Sequence, residues 1–386
     1  MTRVLLTEIF PPQPGGSGRW LAEVYRRFRG HQIVITRSTV RPISTDPPYV
    51  RRIPFELQDT GGLTRRGAAG YSALLRRIRS EIDGSGRLTV QAARVVPEGW
   101  LAFLWRLRGG PRYQCFAHGE EINLDGAASG GVMSSRQHRW MAWLVLRAAE
   151  SVIANSENTA SILRNQWRVP ERKVRVVHPG VDTGYFVPPD DLGSARDQLG
   201  WGGRRVILTV GRLQTRKGHD RVIESLPELL KRFPSLLYVV IGDGPDRDRL
   251  HRLAKELSIE HSIEWHPCST DEEMLRMYQA CDLFVLANRQ IGSDVEGFGM
   301  VLLEAAACGK ATIAGASGGT REAIVDGVTG LLVDGDSSEC IIDAISDLLQ
   351  DAERRHAMGA AGRERAVSEF DWQALATRLE QELDSV

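Results

Sequence analysis

Along the first half of the chain, short apolar runs alternate with helix-length segments: RVLLTEIF from residue 3, HQIVITR from 31, RLTVQAA from 87, YQCFAHG from 113 and SVIANS from 151. Runs of this kind, separated by helical segments, predict a parallel α/β sheet with helices on both faces. The pattern repeats with RVILTVGR from 205, LLYVVIGDG from 236, SIEWHP from 262, DLFVLAN from 282, KATIAG from 310 and GLLVDG from 330. Between the two sets, GVDTGYFVPPDDLGS (180–194) gathers glycine, proline and aspartate and reads as a linker. The expected domains are therefore 1–185 and 186–370, both doubly wound α/β. The segment 371–386, with its helical WQALATRLEQEL, is expected to pack back on the first domain. Two such sheets facing across a cleft would place functional residues just beyond their strand ends.

Composition narrows the class. At 386 residues, 42% hydrophobic and 25% charged, the chain suits two globular domains. No apolar run approaches the ~20 residues of a membrane span. Thr7 and Glu8 interrupt the first apolar stretch, which reads as a strand rather than a secretory leader. Five cysteines (Cys115, Cys268, Cys281, Cys308, Cys340) form no close pair and cannot all close disulfides, so a reducing cytoplasm is expected. The net charge of zero hides an asymmetry. Residues 1–185 carry 27 Lys+Arg against 15 Asp+Glu, and the remainder 22 against 34. A basic first half suits an anionic partner such as a lipid headgroup surface or a phosphorylated acceptor.

Two motifs carry the chemistry. In TVGRLQTRKGHD, Gly211, Arg212, Lys217 and Gly218 follow a strand and precede a helix expected near His219. Lysine is scarce here, so Lys217 stands out as a compact cation for a phosphate oxygen, and Arg212 can add a bidentate fork. In EGFGMVLLEAAACGK (296–310), Gly297 and Gly299 permit close backbone approach, and Phe298–Cys308 reads as a buried helix ended by Gly309. Its free N-terminal amides at Phe298, Gly299, Met300 and Val301 suit a diphosphate. Glu304, two turns further in, is better placed for ribose hydroxyls, and Glu296 for a sugar beyond the diphosphate. Hydroxyls at both ends and anionic charge between describe a sugar nucleotide.

The E-(seven residues)-E pattern of EGFGMVLLE, with GRLQTRKG upstream, resembles the large retaining glycosyltransferase family 4 of GT-B fold. PGGSGRW, AHGEE, ANSENTA, HPGVDTGYF, VVIGDGP and GGTREAIVDGVTGLLV extend the resemblance over most of the chain, weakly over 40–110. The resemblance implies two Rossmann-like domains in which Arg212 and Lys217 neutralise the donor diphosphate. It also implies that Glu304 holds the ribose and Glu296 contacts the transferred sugar, with backbone contacts from Gly297, Phe298 and Gly299. Gly15 and Gly16 would let amides approach the phosphate from the first domain, and His118 would project into the cleft and steady developing positive charge. In such retaining enzymes the leaving phosphate helps deprotonate the acceptor, so no protein nucleophile is required.

No metal and no cofactor is expected, the nucleotide-sugar being a co-substrate. The Asp-x-Asp patterns DRD (246–248) and DGD (334–336) fit a helix start and a turn. ANRQIGSDVEGFGMVLLEAAACGK is similar to the phosphatidylinositol mannosyltransferase branch, which implies GDP-mannose. HPGVD and WHPCS depart from the family's usual residues and leave base recognition open. The acceptor is expected to be lipid-linked or a glycan, and nucleic acid is not expected as a partner. Residues 63–82, with Leu74, Leu75 and Ile78 among arginines, and 100–108, with Trp100 and Trp105, are candidate contacts with the inner membrane face. The alternative for both is a helix packed on the sheet with its arginines in water. Competing readings are a UDP-sugar-dependent glucosyl or N-acetylglucosaminyl transferase, a sugar-nucleotide epimerase and a nucleotide-binding subunit without turnover. A dinucleotide oxidoreductase is disfavoured, since no G-x-G-x-x-G fingerprint with its downstream acid is present.

Overall fold

The computed structural model of the chain describes residues 2–13, 15–39, 46–54, 57, 65–82, 87–124, 132–292 and 294–384. They fall into two compact units. The first comprises Met1–Pro179 with Trp372–Val386, and the second Gly180–Asp371. The segment GVDTGYFVPPDDLGS thus lies wholly in the second unit. The chain returns to the first unit at Trp372.

The first unit is a seven-stranded parallel sheet of β1 (Thr2–Thr7), β2 (His31–Arg37), β3 (Val50–Ile53), β4 (Leu88–Ala92), β5 (Tyr113–Ala117), β6 (Val152–Ala154) and β7 (Val174–Val176), in the order 3-2-1-4-5-6-7. Val4, Leu5 and Leu6 of β1 are fully buried because helices cover both faces of the central strand. The helix Trp372–Asp384 closes this unit, where Arg3 of β1 bonds Glu380 at 2.8 Å and Asp384 at 2.7 Å.

The second unit is a six-stranded parallel sheet of β8 (Arg205–Val210), β9 (Leu236–Ile241), β10 (Ile263–His266), β11 (Leu283–Leu286), β12 (Ala311–Gly315) and β13 (Gly330–Val333), in the order 10-9-8-11-12-13. Strand order reverses between β1 and β4 in the first unit and between β8 and β11 in the second. Ligands of doubly wound sheets bind at the carboxyl edge of such switch points.

β3 and β7 escape the apolar pattern. Both are short edge strands, VRRI and VRV, whose arginines lie on the rim. Of the two readings of the basic segments, the buried residues favour the helix packed on the sheet. The helix Arg65–Ser80 begins inside the expected 63–82, with 63 and 64 outside the described residues, and the helix Glu98–Leu107 covers most of 100–108. Leu75, Ile78, Trp100 and Trp105 are core residues, and Leu74 packs against them, so the apolar side of both segments faces the sheet. Among the described residues no helix is long and apolar enough to cross a membrane.

Candidate active site

The second unit's switch point is built from the loops after β8 and β11. After β8, Leu213 leads into a 3-10 turn, Thr215–Lys217, and then the helix His219–Arg232. Gly218 joins them at φ 75°, and a Cβ there would stand 1.8 Å from the Ala287 carbonyl oxygen at the end of β11. Only glycine allows this contact, which seats the Lys217 loop directly against the β11 loop.

From β11 the chain runs through Asn288 and Arg289 to Glu296. The Arg289 amide donates to Arg216 O at 2.8 Å, and its guanidinium grips Asp220 with two bonds of 2.9 and 2.8 Å. Burial raises the Asp220 carboxyl and the Arg289 bonds more than reverse it, so its pKa lies below the ordinary value. This buried pair fastens the first turn of the helix after Lys217 to the β11 loop.

Glu296 is 7% exposed. Its Oε2 accepts from Lys217 Nζ at 2.5 Å and from Arg216 Nη1 at 2.7 Å. Asp294 approaches Arg216 Nε at 2.8 Å. Burial alone would raise the Glu296 pKa, but Lys217 and Arg216 overcome it and hold the carboxyl at about 2. The backbone behind it is clamped by Gly318 and Gly319. The Gly319 amide donates to Glu296 O at 3.0 Å, and a Cβ on Gly318 or Gly319 would fall 2.2 or 2.1 Å from the carbonyl oxygens of Glu296 and Gly297.

Gly299, at φ 89°, caps the helix Met300–Ala307, and no side chain caps its N-terminus. Gly297, Met300 and Val301 are half-buried, whereas Phe298 lies in the core. The uncapped end presents amides and the positive end of the helix dipole beside Lys217's loop. Glu304 lies one turn into this helix rather than two, since the helix starts at Met300 and not at Phe298. It is 3% exposed and accepts from the Tyr278 hydroxyl at 2.8 Å.

Some of the motif residues meet one another and some do not. Lys217 and Glu296 meet as an ion pair. Arg212 is exposed, with no partner among the described residues, and Gly211 lies half-buried before it. Arg216 takes the second position on Glu296 and was not singled out by spacing. Its neighbour Lys217 drew attention through rarity, while Arg216 is one arginine among 44. Arg289 and Asp220 escaped notice for the same reason, because a pair 69 residues apart leaves no local pattern.

At the first unit's switch point, Gly15 (φ 150°) caps the helix Gly16–Tyr25, again without a side-chain cap. Gly18 is held by packing, since a Cβ would stand 2.5 Å from Ile9 O. Beyond β1 and β4, Arg94 pairs with Glu8 at 3.1 Å and Glu98 at 2.8 Å. His118, just after β5, is 5% exposed. Its Nε2 donates to Ala93 O at 2.8 Å, its ring stands edge-on to Trp20, and Nδ1 is buried without a partner. Burial lowers its pKa to about 4, so the imidazole is neutral. The His118 amide donates to both Glu121 oxygens at 2.9 and 3.2 Å, and burial raises Glu121 to about 7. Among the described residues no group of three or more His, Cys, Asp or Glu is arranged to hold a metal ion.

Comparison with known proteins gives this geometry a family. The profile of glycosyl transferases group 1 matches residues 193–365, and that of Glycosyltransferase Family 4 matches 14–185. A GDP-mannose-dependent alpha-(1-6)-phosphatidylinositol monomannoside mannosyltransferase of Mycolicibacterium smegmatis is 30% identical over 387 residues, covering 97% of this chain and 96% of its own. Sucrose-phosphate synthase of Thermosynechococcus elongatus superposes with a TM-score of 0.82 at 22% identity, over 100% of this chain and 98% of that one. HepE of Anabaena in complex with UDP superposes with a TM-score of 0.80 at 20% identity, over the whole of both chains. With two doubly wound domains of the GT-B kind and both family profiles matched in order, the chain belongs to glycosyltransferase family 4 and is a glycosyltransferase.

Proposed function

We propose that the chain is a retaining, metal-independent mannosyltransferase that moves mannose from GDP-mannose to a lipid-linked or glycan acceptor. The observation that carries the donor reading is the convergence of Lys217, Arg216 and Glu296 beside the uncapped helix N-terminus at Met300, all at the second unit's switch point. Cations and amides together suit a diphosphate, and they stabilise it most when it leaves. The name of the Mycolicibacterium relative supports the choice of GDP-mannose and of a lipid-linked acceptor.

In this reading Lys217 turns from Glu296 to the diphosphate when donor binds, and Arg212, free in solvent, closes on the same group. Glu296 then accepts from hydroxyls of the transferred sugar, and Glu304 from the ribose. The amides of Gly297, Phe298, Gly299, Met300 and Val301 line the phosphates, and those of Gly15 and Gly16, at the first unit's own helix entry, suit a phosphate oxygen in the same way. The bond from the anomeric carbon to the phosphate oxygen breaks as the acceptor oxygen attacks from the same face, and the acceptor proton passes to the leaving phosphate. His118, neutral and locked by Ala93 O, steadies the developing positive charge.

Calorimetric titration of the metal-free protein with GDP, UDP and ADP tests the reading. Preference for GDP at micromolar Kd is the expected result. Preference for UDP would redirect it to a glucosyl or N-acetylglucosaminyl donor, and binding of none would overturn the donor site. Consumption of a bound donor in the absence of acceptor, with the sugar epimerised, would replace transfer by epimerisation.

A further inference from the structure

The phenol of Tyr278 sits where a phenylalanine ring would pack as well. Tyr278 stands near the end of the helix Asp271–Ala280 and is fully buried. Its ring meets Phe186 edge-on at 5.7 Å and lies against Phe284 of β11 at 5.6 Å, both of them fully buried. Phe186 is itself fastened, since Arg363 Nη1 donates to its carbonyl at 2.6 Å. The same nitrogen donates at 2.7 Å to the carbonyl of Ala307, the last residue of the helix Met300–Ala307. Aromatic neighbours and a tied backbone thus hold the Tyr278 ring in one position.

The hydroxyl on that ring donates to Glu304 Oε2 at 2.8 Å. Glu304 belongs to the helix Met300–Ala307, one turn behind the amides at its uncapped N-terminus. Taking a phenol and a carboxylate out of water together costs desolvation that an apolar pair of the same shape does not. Stability alone therefore does not call for this pair, and its gain lies in direction. The terminal torsion of a glutamate is broad by itself. A bond from a caged phenol to one oxygen sets the plane in which both carboxylate oxygens lie.

We propose that Tyr278 is a positioning residue for the donor. Its hydroxyl sets the Glu304 carboxylate against the ribose of the nucleoside diphosphate and so gives the site a preference for ribonucleotides over deoxyribonucleotides. This rests on the reading of Glu304 as the ribose acceptor. Tyr278 acts through Glu304 and makes no contact of its own with the ligand.

Calorimetry with GDP and with 2′,3′-dideoxy-GDP on the same preparations tests it. Wild type is expected to prefer GDP about 100-fold, since the analogue lacks both hydroxyls that a buried carboxylate would accept from. Tyr278→Phe keeps the ring and removes one oxygen atom. GDP is expected to bind this variant about tenfold more weakly while dideoxy-GDP binds as before, so that the preference shrinks to about tenfold. Glu304→Ala is expected to abolish the preference, and adding Tyr278→Phe to it to change nothing more, because the hydroxyl acts through that carboxylate. A misfolded fraction lowers the binding stoichiometry and leaves the ratio of dissociation constants unchanged. With UDP preferred in the titration above, UDP and its dideoxy analogue take the place of the guanosine pair, since the ribose is common to both. An equal loss for both diphosphates in Tyr278→Phe, or a preference as large as that of wild type, would overturn the proposal by giving the hydroxyl a structural part alone. A wild-type chain that binds both diphosphates alike would overturn the ribose reading of Glu304, and the proposal with it, while leaving the diphosphate site in place.

Discussion

Lys217 Nζ and Glu296 Oε2 lie 2.5 Å apart although 79 residues separate them in the chain, and Arg216 shares the same oxygen at 2.7 Å. The buried carboxylate is thus neutralised by two cations of one loop. Two cations on one buried carboxylate mean that one can leave without abandoning a bare charge, which is otherwise costly.

Lys217→Ala is expected to lower nucleotide affinity and transfer about 100-fold while leaving the thermal unfolding midpoint near that of wild type, because Arg216 still neutralises Glu296. Calorimetry with GDP and a melting curve read the two effects separately. An unchanged nucleotide affinity would remove Lys217 from the diphosphate site.

Glu296 gives stability a signature at low pH. Its pKa is depressed from 4.5 to about 2, so its contribution is present in full above about 4.5 and is lost as pH falls through about 2. Glu296→Gln should flatten that part of the acid-unfolding curve. Arg216→Ala should move the loss to higher pH, since a single cation then opposes burial. A series of urea unfolding curves across this range checks both.

Two buried histidines act in a different window. His118 and His219 are each lowered from 6.5 to about 4, chiefly by burial. The unfolded chain takes up their protons first, so stability falls as pH drops from about 6.5 towards 4. His118→Asn is expected to remove its share of that slope and to slow transfer at saturating donor without weakening GDP binding. Because its imidazole stays neutral, the wild-type pH–rate profile should show no inflection from His118 above about 6.5. Such an inflection, absent in the variant, would show that His118 changes charge during turnover.

Gly319→Ala tests the clamp behind Glu296. The new Cβ would lie 2.1 Å from Gly297 O, so the β11 loop must move. A loss of about 2 kcal/mol or more in unfolding free energy is expected, with donor affinity falling further than the stability loss explains. Urea titration and calorimetry on one preparation measure both. Wild-type affinity at reduced stability would mean that the loop position matters to folding alone.

The sequence by itself determined the secondary elements of the second unit, the parallel α/β class of both halves, and the family to which its motifs point. Six strands and the helices after Lys217 and Gly299 were legible because buried parallel strands are apolar along their whole length and glycine at positive φ marks helix entries. β3 and β7 were not, since edge strands of three or four residues alternate with arginine and leave no run. Tertiary structure alone decided which charges meet. Arg216 rather than Arg212 faces Glu296, Asp220 binds Arg289, Tyr278 caps Glu304, and Gly318 and Gly319 brace the loop, all across separations with no local periodicity. Likewise, the basic segments 63–82 and 100–108 were readable as amphipathic, but the choice between an inward and an outward apolar side stayed open. Which face of a helix meets the sheet depends on the register of the strands beneath it, and that is settled only when the sheet assembles.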